Sequence, residues 1–169
     1  MNDKVLNKYA INQVAYIVDD LEEAALAHSK LFGSGPFFYL DPITMSKAVY
    51  KGSEIELTMQ QAYGQYGNLQ IELIKVLSDV NPYFEDGRRG FHHFSIWVDD
   101  YDEALRDFAE AGFKPVIEML SGGGLKVAYV DCTSKWGHCI EIHQPIHGFW
   151  DMIADASKDW DGKDPFRHL

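Results

Sequence analysis

The chain has 169 residues, of which 46% are hydrophobic, and a formal net charge of −11. This composition is ordinary for one compact soluble domain, and the negative charge argues against a nucleic-acid partner because phosphate binding needs clustered Lys and Arg. No apolar run approaches the length of a membrane span, and the opening MNDKVLNKYA lacks the apolar stretch of a secretory signal. We therefore expect a cytoplasmic protein with no membrane partner.

The first half of the chain begins with a predicted strand and helix. Alternating residues in INQVAYIVDD predict a strand from Ile11, and Asp20 with Glu23 three residues later predicts the start of a helix. Gly33 stands where a left-handed helix stop is expected. Two alternating runs, SEIELTMQQ and NLQIELIKV, then predict the later strands of a module that spans residues 11–79.

The second half repeats this pattern at an offset of 80 positions. After a predicted linker at residues 80–90, FHHFSIWVDDYDEALRDFAEAG again reads as a strand and a helix, with Asp100 and Glu103 at the helix start and Gly112 at its stop. LKVAYVD and HCIEIHQP predict the later strands of a module over residues 91–146. Apolar residues in the tail, residues 147–169, predict an amphipathic helix on the sheet.

Two tandem halves of this kind predict one domain over residues 1–169. A β-α-β-β-β unit cannot bury both faces of its sheet, whereas two units can curl their sheets together with a cleft between them. We therefore predict an α+β fold, in which two tandem βαβββ modules form one curved, incomplete barrel of mixed strands with the helices outside.

Four polar residues occupy matching strand positions in the two halves. If the apolar faces of the strands pack under the helices, strand alternation turns four polar side chains into the cleft, namely Gln13, Glu72, His93 and Glu141. A polar residue on a strand is in general on its solvent face, but four unrelated surface residues have no reason to follow the repeat. One imidazole, one amide oxygen and two carboxylates can bind a divalent metal ion and leave positions open.

Four motifs in order carry a resemblance to a known superfamily: INQVAYIVDD, QIELIKV, GFHHFSIWVDD and CIEIHQP, across residues 11–146. The chain resembles the vicinal-oxygen-chelate superfamily, and its Gln-Glu-His-Glu set resembles that of the eukaryotic type of glyoxalase I. The resemblance implies that Gln13, Glu72, His93 and Glu141 bind one divalent metal ion, with water in the open positions. Zinc, nickel, cobalt and manganese are all admissible for one nitrogen and three oxygens.

The resemblance also implies an activity. Proteins of this kind include lactoylglutathione lyases (glyoxalase I) and methylmalonyl-CoA epimerases, so we expect a metal-dependent lyase or isomerase that moves a proton next to a carbonyl through a metal-bound enolate. The expected partner is a small carbonyl or thioester substrate, and a homodimer is compatible with this assignment. Glu141 is the expected proton-transfer group. Glu56 matches the additional catalytic Glu of the epimerase and is expected to face the cleft with Glu54.

Departures from the family pattern keep other functions open. Three positions at which glyoxalase I contacts glutathione hold different residues here, Ile17, Val76 and Cys139, and only Arg89 matches. The first alternative is a non-catalytic small-molecule binding or resistance protein on the same fold, like the bleomycin-resistance proteins. The second is a regulatory or interaction module. Four aligned ligands argue against the first alternative, since a pure binding cleft does not need them.

Overall fold

The first half of the protein, in a computed structural model that describes residues 5–169, contains one helix and seven strands after a 3-10 turn at Val5–Lys8. Helix α1 begins where predicted, because the Asp20 side chain accepts a hydrogen bond from the Glu23 amide, and it ends at Gly33 in the left-handed conformation. The elements are β1 (Ile11–Ile17), α1 (Leu21–Phe32), β2 (Phe37–Tyr39), β3 (Ile43–Thr44), β4 (Lys47–Tyr50), β5 (Ser53–Ile55), β6 (Thr58–Tyr66) and β7 (Leu69–Val76).

The second half is shorter and is followed by a helical tail. Asp100 caps helix α2 through the Glu103 amide, as Asp20 caps α1. The elements are β8 (Gly90–Trp97), α2 (Tyr101–Glu110), β9 (Pro115–Leu120), β10 (Lys126–Asp131), α3 (Thr133–Trp136), β11 (Cys139–His143), α4 (Phe149–Lys158) and β12 (Phe166–His168). The tail therefore contains a helix, and its buried residues Trp150 and Ile153 pack against the sheet beside Tyr63. No helix among the described residues is long and apolar enough to cross a bilayer.

All of these strands join one mixed sheet that does not close into a barrel. Strand β1 runs parallel to β7 and antiparallel to β8, and β8 runs parallel to β11. The first half thus has the strand order β1-β7-β6-β2, and the second half has the matching order β8-β11-β10-β9. The predicted α+β class and the incomplete mixed sheet are confirmed.

A short hairpin of the first half pairs with the second half. Strand β3 pairs with β6, whereas β4, which begins three residues after β3 ends, pairs with β9. The chain between residues 43 and 50 therefore crosses from one edge region of the sheet to the other. The sequence predicted about three later strands in each half, so these additional short strands are a difference from the prediction.

Apolar residues cover both faces of the curved sheet. On the outer face, α1 packs through Leu21 and Ala25, and α2 packs through Ala104 and Phe108. The inner face carries its own buried set, which includes Leu57, Met59, Ile74, Ile117 and Tyr129. Because full burial of such a side chain contributes roughly 1.5–3 kcal/mol, both layers stabilise the sheet, and the polar centre described next is enclosed by them.

Candidate metal centre

The four predicted ligands lie on four neighbouring strands in the middle of the sheet, Glu72 on β7, Gln13 on β1, His93 on β8 and Glu141 on β11. All four are buried, and none is more than 5% exposed. Such burial of two carboxylates and an imidazole is expensive unless a charge or hydrogen bonds compensate it. The arrangement brings together the residues that the repeat predicted, although their role as ligands stays a prediction.

Three of these side chains point their ligand atoms at a common place. His93 Nε2 lies 3.5 Å from Glu72 Oε2 and 3.4 Å from Glu141 Oε2. One ligand atom from each residue lies within 4.8 Å of the others. Two ligands bound about 2.1 Å from one ion are about 3 Å apart when they are adjacent. The spacing therefore suits a single bound ion after small adjustments.

Two of the same atoms are left without hydrogen-bond partners. Glu72 Oε2 and His93 Nε2 are fully buried and make no hydrogen bond. An unsatisfied buried polar group costs about 1–3 kcal/mol, and more when it is charged, so such atoms need an explanation. A divalent cation would satisfy both atoms at once. The residues present therefore fit the metal ion that the resemblance implies.

Neighbouring side chains orient the two ligands of the first half. Gln13 and Gln70 are partners in the pairing of β1 with β7, and Gln13 Nε2 donates to Gln70 Oε1 at 2.5 Å. Gln61 Nε2, from β6, donates to Glu72 Oε1 at 2.6 Å. These hydrogen bonds occupy the amide nitrogen of Gln13 and one carboxylate oxygen of Glu72. The other carboxylate oxygen of Glu72, Oε2, is left for the centre, and Gln13 Oε1 faces Ser95.

Ser95 connects the two halves of the centre. It faces Gln13 in the antiparallel pairing of β1 with β8, and it faces Glu141 in the parallel pairing of β8 with β11. Its Oγ lies 2.6 Å from Gln13 Oε1 and also contacts Glu141 Oε2. The hydroxyl has one proton, so it donates to one of these oxygens at a time.

A second histidine supports His93. The pairing of β1 with β8 shifts register after Ala15, so that one residue of β8, His92, bulges and also points inward. His92 Nδ1 and His93 Nδ1 lie 2.9 Å apart. Burial, followed by the charge of His93, lowers the pKa of His92 to about 2, so this ring is neutral. When His93 uses Nε2 as a ligand, its proton sits on Nδ1 and is donated to His92.

The charges of the centre favour a cation between the carboxylates. Burial lowers the pKa of His93, but the nearby carboxylates, Glu141 first and then Glu72, outweigh burial and raise this pKa to about 9. Burial raises the pKa of Glu141, but the positive charge of His93 outweighs burial and holds the carboxyl well below its usual range. In the metal-free protein an imidazolium thus occupies the place between the carboxylates.

The centre opens into a cavity of about 660 Å³. Tyr63 and Tyr129 line it, each directly across the strand pair from a carboxylate: Tyr63 from Glu72, and Tyr129 from Glu141. Burial, and then the nearby carboxylates, raise the pKa of both phenols well above the usual value, so both stay protonated. These tyrosines were not predicted from the sequence, although their shared position across from the two Glu residues repeats between the halves.

His143 adds a nitrogen to the wall of the cavity. It lies two residues after Glu141 on the same face of β11, and its Nε2 is 3.7 Å from Glu141 Oε2. Its Nδ1 lies 2.7 Å from the Gln144 carbonyl oxygen, which can only accept a hydrogen bond. Nδ1 therefore carries a proton, and in the neutral ring the lone pair is on Nε2.

One sequence-based expectation about this cavity, that Glu56 and Glu54 face it, is not met. Glu56 and Glu54 are exposed and do not line it, whereas Leu57 and Met59 are fully buried. The reason is that the inner face of the sheet is itself apolar here, so that apolar residues rather than Glu56 turn inward between β5 and β6. Arg89 also lies outside the cavity and is paired with Asp19 at 2.6 Å.

Tandem βαβββ halves around a buried cluster of carboxylates and imidazole define a class of protein, and comparisons with known proteins agree with it. A profile of the Glyoxalase/Bleomycin resistance protein/Dioxygenase superfamily matches residues 12–129, most of the chain. The protein belongs to this superfamily, and the predicted vicinal-oxygen-chelate resemblance is confirmed. No curated protein matches the chain.

Solved structures share the fold at low sequence identity. A hypothetical protein from Bacillus halodurans is 17% identical, with a TM-score of 0.58 over 81% of this chain and 94% of that one. Methylmalonyl-CoA epimerase from Mycobacterium tuberculosis is 19% identical, with a TM-score of 0.54 over 83% of this chain and 90% of that one. At these identities the similarity establishes the fold only.

Proposed function

We propose that this protein is a metal-dependent lyase or isomerase that moves a proton next to a carbonyl group. The observation that supports this function best is the pair of buried atoms Glu72 Oε2 and His93 Nε2, which make no hydrogen bond and lie 3.5 Å apart beside Glu141 at one end of a cavity. A fold that serves only to bind a ligand has no need to bury these atoms without partners.

The metal ion would be held by Gln13, Glu72, His93 and Glu141. Gln70, Gln61 and His92 would orient the first three of these ligands. When bound, the ion would act as a Lewis acid that stabilises negative charge on a carbonyl oxygen. Its identity among zinc, nickel, cobalt and manganese remains a prediction.

Glu141 would be the residue that transfers the proton. This carboxylate is ionised over the physiological range, because its pKa lies well below the usual value, and it lines the cavity where the substrate would lie. It would take the proton from the carbon next to the carbonyl and return it to the neighbouring carbon or to the same one. The phenols of Tyr63 and Tyr129 stay protonated and would donate hydrogen bonds to substrate oxygens.

The position of the acid–base groups favours transfer on one face of the substrate. Glu141 and its neighbour His143 project from the same face of one strand, β11. Inversion of a carbon centre needs a group on each side of it, and Glu56, the residue expected to supply the second side, is exposed outside the cavity. We therefore infer a glyoxalase-type transfer by one carboxylate.

The test combines metal analysis with proton exchange. Protein purified without chelators is expected to contain about one divalent ion per chain by plasma emission. The metal-loaded protein is then incubated in deuterated water with hemithioacetals, acyl thioesters and aromatic 2-oxo compounds, and loss of the proton next to the carbonyl is followed by NMR. Protein that binds none of the four ions, or that exchanges no proton of any substrate, contradicts the proposal.

The second candidate function is non-catalytic binding of a small apolar molecule. The observation that favours it is the largely apolar wall of the cavity, which includes Met45, Met119 and Trp150. The same exchange experiment separates the two functions, because a binding protein would hold a ligand from the panel without exchanging its proton.

A further inference from the structure

We infer that the substrate is an uncharged carbonyl compound with an apolar tail, and that it is not an anionic glutathione or coenzyme A conjugate. The inference rests on the proposed function, because it takes the metal centre as the place where the carbonyl binds. It is drawn from the side chains that surround the rest of the cavity.

The first observation is that the wall of the 660 Å³ cavity, among the described residues that line it, carries no Lys or Arg. Arg89, the residue that matches a glutathione contact, pairs instead with Asp19. Lys126 follows the lining residue Leu125 directly, yet its Nζ lies 3.8 Å from Asp102 on the outer helix α2. A carboxylate or phosphate of a substrate would therefore find no Lys or Arg to pair with, and only the imidazoles of His143 and His147, which is unfavourable away from water.

The second observation is the charge of the centre itself. A divalent ion held by Gln13, Glu72, His93 and Glu141 would be balanced by the two carboxylates, because the amide and a metal-binding imidazole add no charge. A further anionic group on the tail of the substrate would then place an uncompensated negative charge in the cavity. Asp99, which also lines the cavity, adds further negative charge. A neutral carbonyl compound leaves this balance unchanged.

The third observation is the chemistry of the wall. Flexible or aromatic apolar side chains from several elements surround the space beyond the metal centre, including Met45, Met59, Met119, Leu125, Phe149 and Trp150. Methionine side chains adapt to irregular apolar shapes, and aromatic rings provide large apolar contact surfaces. The cavity is large enough for a small-molecule ligand, because such sites have volumes of about 300–1,000 Å³. The wall therefore selects an aliphatic or aromatic tail.

The test uses hydroxamic acids, which bind a metal ion through two oxygens with loss of the N–OH proton, so that all probes share the same head group and differ only in the tail. Acetohydroxamic, butanohydroxamic and hexanohydroxamic acid form a series of growing apolar tails, and adipic monohydroxamic acid matches the last of these but ends in a carboxylate. Binding of each to the zinc-loaded and the metal-free protein is measured by calorimetry. We expect affinity for the loaded protein to rise roughly two- to four-fold per methylene and to fall at least about tenfold with the terminal carboxylate.

The possible outcomes separate the substrate class from the proposed function. Affinity that is flat along the series, or a carboxylate-tailed probe that binds as tightly as hexanohydroxamic acid, overturns the inference while metal-dependent binding stands. Equal binding to loaded and metal-free protein overturns the proposed function, although a dependence on tail length would still locate the apolar wall. If no hydroxamic acid binds, both are overturned.

A matched pair of variants at Leu125 tests whether the cavity wall determines the preference for an uncharged tail. Leu125 is half-buried in the loop before β10 and lines the cavity, so it can be changed without touching the centre. Leu125→Arg should raise the affinity of adipic monohydroxamic acid about tenfold or more relative to hexanohydroxamic acid, whereas Leu125→Gln should not. An unchanged preference in folded Leu125→Arg contradicts the inference. The series on the wild-type protein decides the matter if this variant does not fold.

Discussion

The two halves of the protein supply the centre with equivalent positions but different chemistry. Gln13 in the first half stands at the position of His93 in the second, and each half adds one glutamate with a tyrosine across the strand pair. Gln13 is a neutral amide that cannot titrate near neutral pH, whereas His93 has an imidazole that can. The repeat therefore provides the geometry of the four predicted ligands, and the differences between the halves determine the charge and protonation of the centre.

The halves also differ in what lies between their first and last ligands. The first half inserts β3, β4 and β5, and this segment pairs with β6 and with β9. It contributes Ile43 and Met45 to the cavity wall. The second half has only β9 and β10 in the corresponding stretch. One half thus gives the cavity an additional wall, and the other gives the centre the proposed acid–base groups, Glu141 and His143.

The largest expected effect distinguishes the two equivalent glutamates. Glu141→Gln keeps an oxygen ligand but removes the base, so metal should largely remain while proton exchange falls about 10²–10⁴-fold. Glu72→Gln is the matched control from the first half, and at saturating metal it should keep most of the exchange. Both variants are measured by metal content and by deuterium exchange in NMR. Equal losses in the two variants would show that the base is not specific to the second half.

The next largest expected effect is the dependence of metal affinity on pH. The pKa of His93 is raised to about 9, and its protonated ring cannot bind an ion, so metal affinity should fall as the pH drops below this value. One competing proton gives about tenfold per pH unit, or roughly 100-fold between pH 6 and pH 8. Titration with manganese, with free ion measured by electron paramagnetic resonance, tests this dependence.

The asymmetry of the halves provides the control for that experiment. His93→Gln would make the second half resemble the first, and its weaker metal binding should lose most of this pH dependence because no imidazole competes with the ion at that position. Calorimetry in buffers of different ionisation enthalpy should count about one proton released per ion bound by the wild-type protein. A wild-type affinity that is flat between pH 6 and pH 8 contradicts the assignment of His93.

A smaller effect on metal affinity is expected for changes at His92, which contacts the predicted ligand His93. His92 Nδ1 lies 2.9 Å from His93 Nδ1 and would accept its proton in a metal-bound form, so His92→Leu should weaken metal binding about 10–100-fold. His92→Gln offers an acceptor oxygen at the same place and should restore part of the affinity. Thermal unfolding of the metal-free variants separates this effect from a general loss of stability. Equal affinities of the two variants would mean that His92 only fills space.

The repeat made much of this arrangement predictable from sequence. The capped helices at Asp20 and Asp100, the curved mixed sheet and the inward direction of the four polar residues all follow from alternation combined with the 80-residue offset. The bulge at His92 does not follow, because strict alternation sends neighbouring residues to opposite faces. Its position depends on how β8 fits against β1, which is a tertiary interaction.

Glu56 shows a second limit of the same reasoning. The sequence analysis assumed that apolar residues turn towards the helices, which holds for β1, where Val14 and Tyr16 pack on the helix side. Around β5 and β6 the inner face is apolar as well, so the alternation of Ile55, Leu57 and Met59 does not distinguish inside from outside. Periodicity gives the faces of a strand, but the burial on both sides of the sheet decides which face is which.

The smallest expected effect tests this correction directly. Glu56 is exposed and does not line the cavity, so Glu56→Gln should leave proton exchange unchanged and alter the free energy of unfolding by no more than about 0.5 kcal/mol. Gln61→Leu is a suitable comparison, because Gln61 donates to Glu72 Oε1 inside the cavity and its loss should weaken metal binding. Exchange by NMR and unfolding in urea are measured for both variants at saturating metal. If Glu56→Gln lowered exchange by tenfold or more while the protein stayed folded, this carboxylate would have to reach the substrate, and the one-face transfer by Glu141 would have to be replaced by a mechanism with two carboxylates.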